Sequence, residues 1–185
     1  PATSLDDYRM QVLQALLALP RPRVVVGASL GGLLALQVAA QADALVLVNP
    51  LPPAPWHSEL PLREWADVVS WQRNARLAST RAALPDADDA TALYACRHWR
   101  DESGAVLRAA QAGIEVERPS CPALLVVSAV DDDAPPHISI EIAKHWQAER
   151  VETLATSHVG PLLGRQATQI ATQAVAWLNN AWSLR

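Results

Sequence analysis

Residues 23–32 read RVVVGASLGG and run on into an Ala- and Leu-rich stretch that ends near Ala40. Three successive valines are stiff at χ1 and favour extended backbone. With no polar side chain between Arg23 and Gly27, the run predicts a short strand buried on both faces. Leu30 to Ala40 predicts a tightly packed helix. Only Ala28 and Ser29 separate the two, so the chain must turn sharply at the serine. Backbones that approach so closely leave no room for a Cβ, and Gly27 and Gly31, two residues either side of Ser29, are expected to meet that demand.

Outward from this unit the chain alternates. Ser4–Leu19 predicts a helix with Ser4 as N-cap and Asp7 three residues on. Its apolar stripe is Leu5, Tyr8, Val12, Leu13, Leu16 and Leu19, and Pro20 and Pro22 stop it. Ala44–Val48 (ALVLV) predicts a second buried strand, closed by Asn49-Pro50. A proline-rich loop over Leu51–Pro61 follows, and then three helix candidates: Leu62–Leu84, Asp88–Trp99 and Glu102–Gly113. Ala123–Ser128 (ALLVVS) predicts a third strand, Ile138–Ala148 a helix, Arg150–Ala155 a shorter strand and Leu162–Leu178 a final amphipathic helix. Strands alternating with helices imply an α/β fold with a mostly parallel sheet flanked by helices. Residues 1–50 and 120–185 form the expected core, and residues 51–119 the expected helical insertion.

Composition narrows the class. Of 185 residues, 50% are hydrophobic and 18% charged, which suits a chain with a sizeable core rather than a disordered one. A net charge of -4 argues against nucleic acid or anionic lipid as partner. Each apolar run is broken before it reaches a membrane-spanning length. Neither a signal nor a transit peptide is legible at the start, and the expected setting is cytoplasmic. Cys96 and Cys121 lack the spacing of a metal site and are too few for a disulfide framework, so neither metal nor cofactor is expected.

In a parallel sheet, functional groups gather at the carboxyl ends of the strands. Three places answer to that rule. Gly27-Ala28-Ser29-Leu30-Gly31 matches G-x-S-x-G, a strained turn that lifts a serine hydroxyl above the sheet. The backbone N–H of Leu30, at a helix N-terminus, is set to stabilise a developing oxyanion. A serine becomes a good nucleophile only when a histidine takes its proton, and that imidazole needs a carboxylate to fix its tautomer. The loop after the third strand offers Asp131, Asp132 and Asp133. Asp131, first past the strand, is preferred, while the other two read as a solvated acidic turn. Among five histidines, only His158 falls in a loop directly after a strand and downstream of the acids. His57 and His98 lie in the insertion, and His137 and His145 at the start of and within a helix.

With the order Ser29, Asp131, His158 the chain resembles α/β-hydrolase-fold proteins with a helical cap, over essentially its whole length. The acid loop is similar to the family's G-x-x-D-x-x-x-P pattern, with Ser128 in place of the glycine. The segment around His158 is similar to the family's short S/G-H-x-x-P type. This resemblance implies Ser29 as nucleophile, His158 as general base, Asp131 as its orienting acid and the Leu30 N–H as one oxyanion donor. It also implies that the insertion caps the substrate pocket. Family members place four further strands before this region, and the loop after the third supplies a second oxyanion donor. An N-terminal partner for strand Arg23–Gly27 is therefore expected, as further residues or a separate chain; the alternative is a homodimer paired along that edge.

The implied activity is hydrolysis of a small-molecule ester, thioester or related acyl substrate through an acyl-enzyme, with acyl transfer as a second reading. From a different class, a binding module that retains the turn without turnover is the third. Four tryptophans, Trp56, Trp65, Trp71 and Trp99, fall in the insertion. Trp56, Trp65 and Trp99 are expected as substrate-pocket walls, against the alternative that they pack inside the insertion.

Overall fold

The computed structural model describes residues 3–183. Its elements are α1 (Leu5–Leu17), β1 (Val24–Ala28), α2 (Leu30–Gln37), β2 (Ala44–Val48), β3 (Val68–Val69), α3 (Leu77–Ala83) and α4 (Asp89–His98). Then come β4 (Glu102–Ser103), α5 (Gly104–Ala112), β5 (Ala123–Val127), α6 (Pro136–Trp146), β6 (Glu149–Glu152), α7 (Gly160–Leu163) and α8 (Ala167–Ser183). The main sheet is parallel with strand order β1-β2-β5-β6.

Period-two alternation along β2 and β5 builds two cores. Leu45, Leu47, Leu125 and Val127 face α6, where Ile138, Ile142 and Trp146 close one side. Val46, Val48, Leu124 and Val126 face Ile170 and Trp177 of α8 on the other. Every residue of β2 and β5 is buried, as their unbroken apolar sequence predicts. β1 has the same composition but a different environment. Among the described residues it pairs on one side only, and Val26 is 63% exposed, so the expectation of a strand buried on both faces fails there.

Ser4 caps α1 through a reciprocal pair with Asp7, as its spacing implies: the Asp7 N–H donates to Ser4 Oγ, and the Ser4 N–H to Asp7 Oδ2 at 2.8 Å. Leu5, Leu34 and Val106 form a third cluster that packs α5, from the insertion, against α1 and α2. Tyr8 adds a polar tie by donating its hydroxyl to Glu102 Oε1 at 2.6 Å. That carboxylate, joined by partial burial, holds the Tyr8 phenol at about 12 instead of 10.0.

Three expectations about helices need correction. Leu62–Leu84 is not one helix: Val68 and Val69 pair antiparallel with Ser103 and Glu102, and only Leu77–Ala83 is helical. The Asp101 carboxylate accepts the backbone N–H groups of Gln72 and Arg73 at 2.9 and 3.2 Å, which fixes a turn where a helix would need those donors. Glu102 belongs to β4 through its pairing with Val69, and α5 begins at Gly104, whose missing Cβ would lie 1.7 Å from Ala66 O. The C-terminal helix is broken at Gly164 into α7 and α8; a Cβ there would meet Gly160 O at 2.6 Å. No helix among the described residues is long and apolar enough to cross a membrane.

Candidate active site

The turn after β1 has the predicted strain. Ser29 sits at φ 51° and ψ -123°, a region that costs a non-glycine residue about 1–3 kcal/mol. Its surroundings over-determine that conformation. The Ser29 N–H donates to Val48 O at 3.1 Å, and its carbonyl accepts from Gly32 N and Leu51 N, both at 2.9 Å. A Cβ on Gly27 would lie 2.3 Å from Gly31 O, and one on Gly32 would lie 2.5 Å from Pro50 Cβ. Gly31, expected to be sterically required, has open space where its Cβ would go. The second close approach thus falls one residue later, where α2 crosses the end of β2. Leu30 is the first residue of α2, and its N–H has no partner within the helix by geometry alone.

Asp131 and His158 meet at the carboxyl ends of β5 and β6. His158 Nδ1–H donates to Asp131 Oδ2 at 2.7 Å, with the carboxylate side chain 0% and the imidazole 13% exposed. The other oxygen, Oδ1, accepts the N–H groups of Asp133 and Ala134 at 2.9 and 3.0 Å. Those contacts orient the acid and leave Nε2 of His158 as the ring's acceptor. Asp133 instead pairs with Arg63 Nη1 at 2.6 Å, and Asp132 is exposed. Asp131, Asp133 and His158 each present one ligand atom within 4.8 Å of the others; within this group Asp131 pairs with His158, and Asp133 with Arg63.

Ser29 and His158 open onto one cavity of about 110 Å³. Leu51, Leu60, Pro61, Trp65, Trp71 and Leu107 make most of its wall apolar. Trp65 is held there: its Nε1–H donates to Gln111 Oε1 at 3.2 Å, and it meets Trp71 edge-on at 6.4 Å between centroids. Trp56 does not line this cavity. It wedges against His145 and Trp146 of α6 at 5.3 and 5.8 Å. Trp99 also points elsewhere, donating to Thr80 Oγ1 at 3.0 Å inside the insertion. Of the three expected wall tryptophans, the fold brings only Trp65 to the serine.

Three residues near the site escaped the sequence reading. Arg63 lies on the cavity wall and bridges the insertion to the acid loop, and Gln111 pins both its backbone and Trp65. Asn49, 2% exposed and at φ 40°, joins three strand ends. Its Nδ2 donates to Ser128 Oγ at 2.8 Å and to His158 O at 2.7 Å, and its Oδ1 accepts the Ser128 N–H at 2.9 Å. Ser128, the residue standing where the family pattern has glycine, donates its own hydroxyl to Ser157 O at 2.8 Å. The only sequence trace of this clamp was an amide side chain closing an all-apolar strand, where a buried polar group requires partners.

Among solved structures, three with the same fold illustrate its range. A methylesterase from Arabidopsis superposes with TM-score 0.64 at 12% identity, covering 94% of this chain and 78% of that one. Methylketone synthase I from tomato, complexed with 2-tridecanone, gives 0.67 at 15% identity over 96% and 80%. A monoacylglycerol lipase from Paleococcus ferrophilus gives 0.66 at 16% identity over 97% and 77%. At such identities the likeness speaks for the fold alone. No curated protein matches the sequence. A family model described as the alpha/beta hydrolase family matches residues 1–173, the stretch that carries the strained turn at Ser29, the acid loop and the segment around His158. The chain belongs to the alpha/beta hydrolase family.

Proposed function

We propose that this hydrolase is a serine esterase or thioesterase whose triad is Ser29, His158 and Asp131. One observation carries the reading: a buried carboxylate fixes the tautomer of an imidazole that shares a cavity with a strained serine. In the first half-reaction Ser29 Oγ bonds to the substrate carbonyl carbon while its proton passes to His158 Nε2. The carbonyl oxygen gains the negative charge and faces the Leu30 N–H, at the positive end of α2. Collapse of this adduct breaks the bond to the leaving alcohol or thiol, which takes the proton from His158. Water then gives a proton to His158 and attacks the acyl carbon, releasing the acid and restoring Ser29.

The cavity favours a small, uncharged acyl group. At about 110 Å³ it is of the order that holds one ring or a short chain, and its walls are mainly apolar. The nearby cation, Arg63, is already neutralised by Asp133, so an anionic substrate gains little there. The test compares wild type with Ser29→Ala on p-nitrophenyl acetate, butyrate and octanoate. Wild type is expected to prefer the two shorter esters, and Ser29→Ala to lose at least a thousandfold in kcat/KM. Equal rates for the two proteins refute the triad.

A further inference from the structure

We propose that Asp86, in the turn between α3 and α4, is a positioning residue that holds the segment carrying His158; this rests on the triad reading above. Asp86 is far from the histidine in sequence, yet both its carboxylate oxygens and its backbone carbonyl accept from residues 156–165. Its Oδ1 accepts the Ser157 hydroxyl at 2.8 Å, and its Oδ2 accepts the Thr156 N–H at 3.1 Å. Its backbone carbonyl accepts the Arg165 N–H at 3.0 Å, on the far side of α7.

The segment is shaped around this carboxylate. A Cβ on Gly160 would lie 2.2 Å from Asp86 Oδ2, and one on Gly164 would lie 3.0 Å from it. Ser157 is therefore gripped from two sides. Its carbonyl takes the Ser128 hydroxyl, from the sheet, and its own hydroxyl goes to Asp86, from the insertion. The residue immediately before His158 thus has its carbonyl held from the sheet and its side chain held from the insertion. Both Asp86 oxygens face donors, so an amide would turn its NH2 toward one of them; the site is built for a carboxylate.

A residue that merely fastens the insertion lowers the folded fraction, and every substrate then loses by the same factor. A positioning residue has a different signature. His158 must protonate an alkoxide leaving group, whereas p-nitrophenolate departs without a proton. An imidazole displaced by a fraction of an ångström therefore costs more with an alkyl ester.

The experiment measures kcat/KM for p-nitrophenyl butyrate and ethyl butyrate in wild type, Asp86→Asn, Ser157→Ala and the double variant, with Tm for each. Asp86→Asn is expected to lose about tenfold with the aryl ester and about a hundredfold with the ethyl ester, with KM within about twofold. Ser157→Ala, which removes one of the two carboxylate contacts, is expected to show a smaller loss with the same bias. The double variant is expected to lose no more than Asp86→Asn alone, since the two share a hydrogen bond. Unchanged rates, or equal losses on both esters in Asp86→Asn and Ser157→Ala, overturn the proposal and leave the triad standing if turnover still requires Ser29. Turnover that does not require Ser29 overturns both.

Discussion

Asp131→Asn is the substitution whose consequence the geometry specifies most closely. Asparagine nearly matches aspartate in shape, so the loop has no steric reason to move. Its amide has one acceptor oxygen and one NH2 where the carboxylate has two acceptors. Oδ1 of Asp131 takes two backbone N–H groups, from Asp133 and Ala134, and an NH2 in that place would set donor against donor twice. The amide oxygen must stay there, which points the NH2 at His158 Nδ1. The imidazole can accept that hydrogen bond only with its proton moved to Nε2, the nitrogen needed to take the proton from Ser29. The expected loss in kcat is about 10³–10⁴-fold, equivalent to about 4–5.5 kcal/mol of transition-state stabilisation. Steady-state hydrolysis of p-nitrophenyl acetate at neutral pH measures it, with thermal unfolding to show that the variant folds. Asp133→Asn is the companion, since it removes only a half-exposed ion pair to Arg63 and is expected to cost less than about threefold. A loss below tenfold in Asp131→Asn, or a larger loss in Asp133→Asn, refutes the assignment of the acid.

Other substitutions separate requirements that the sequence pattern merges. Gly27→Ala places a methyl 2.3 Å from Gly31 O and is expected to destabilise by about 2–3 kcal/mol in urea unfolding, whereas Gly31→Ala, facing open space, changes stability by less than about 1 kcal/mol; the reverse order would show that the turn is packed otherwise. Asn49→Ala leaves the buried Ser128 N–H without its partner and releases the His158 carbonyl, so both stability, by about 2–3 kcal/mol, and kcat are expected to fall; an effect on stability alone would mean that the clamp does not reach the histidine. The raised Tyr8 phenol gives a signed pH dependence. Its hydrogen bond to Glu102 supports the fold fully below pH 10.0, the ordinary phenol value, and that support is lost as the pH rises towards about 12. The stability difference between wild type and Tyr8→Phe is expected to shrink across that window, and a difference that stays constant through it contradicts the coupling.

The buried strands β2 and β5 and the capped helix α1 were legible because each follows from a local rule. Unbroken apolar runs call for burial on both faces, which β2 and β5 achieve and β1 does not, and Ser4 with Asp7 satisfies orphan N–H groups of a helix start. Ser29 was legible for the same reason, since a strand running into a helix through a single strained residue is a local event. The region 62–84 was not. Its helical spacing is real, but Asp101, nearly thirty residues away in sequence, binds the very donors the helix needed.

A similar division runs through the site. The sequence by itself determined a parallel sheet and the three loops at its carboxyl ends, because strand burial, turn strain and chain order are properties of short segments. Tertiary structure decided which groups those loops share. It paired Asp131 rather than Asp132 or Asp133 with His158, brought Trp65 to the cavity while Trp56 and Trp99 went into packing, and set both Asn49 and Asp86 against the segment around His158. Each of these depends on hydrogen bonds or contacts between residues far apart in the chain, and such partners exist only once the fold has brought them within about 3 Å of each other.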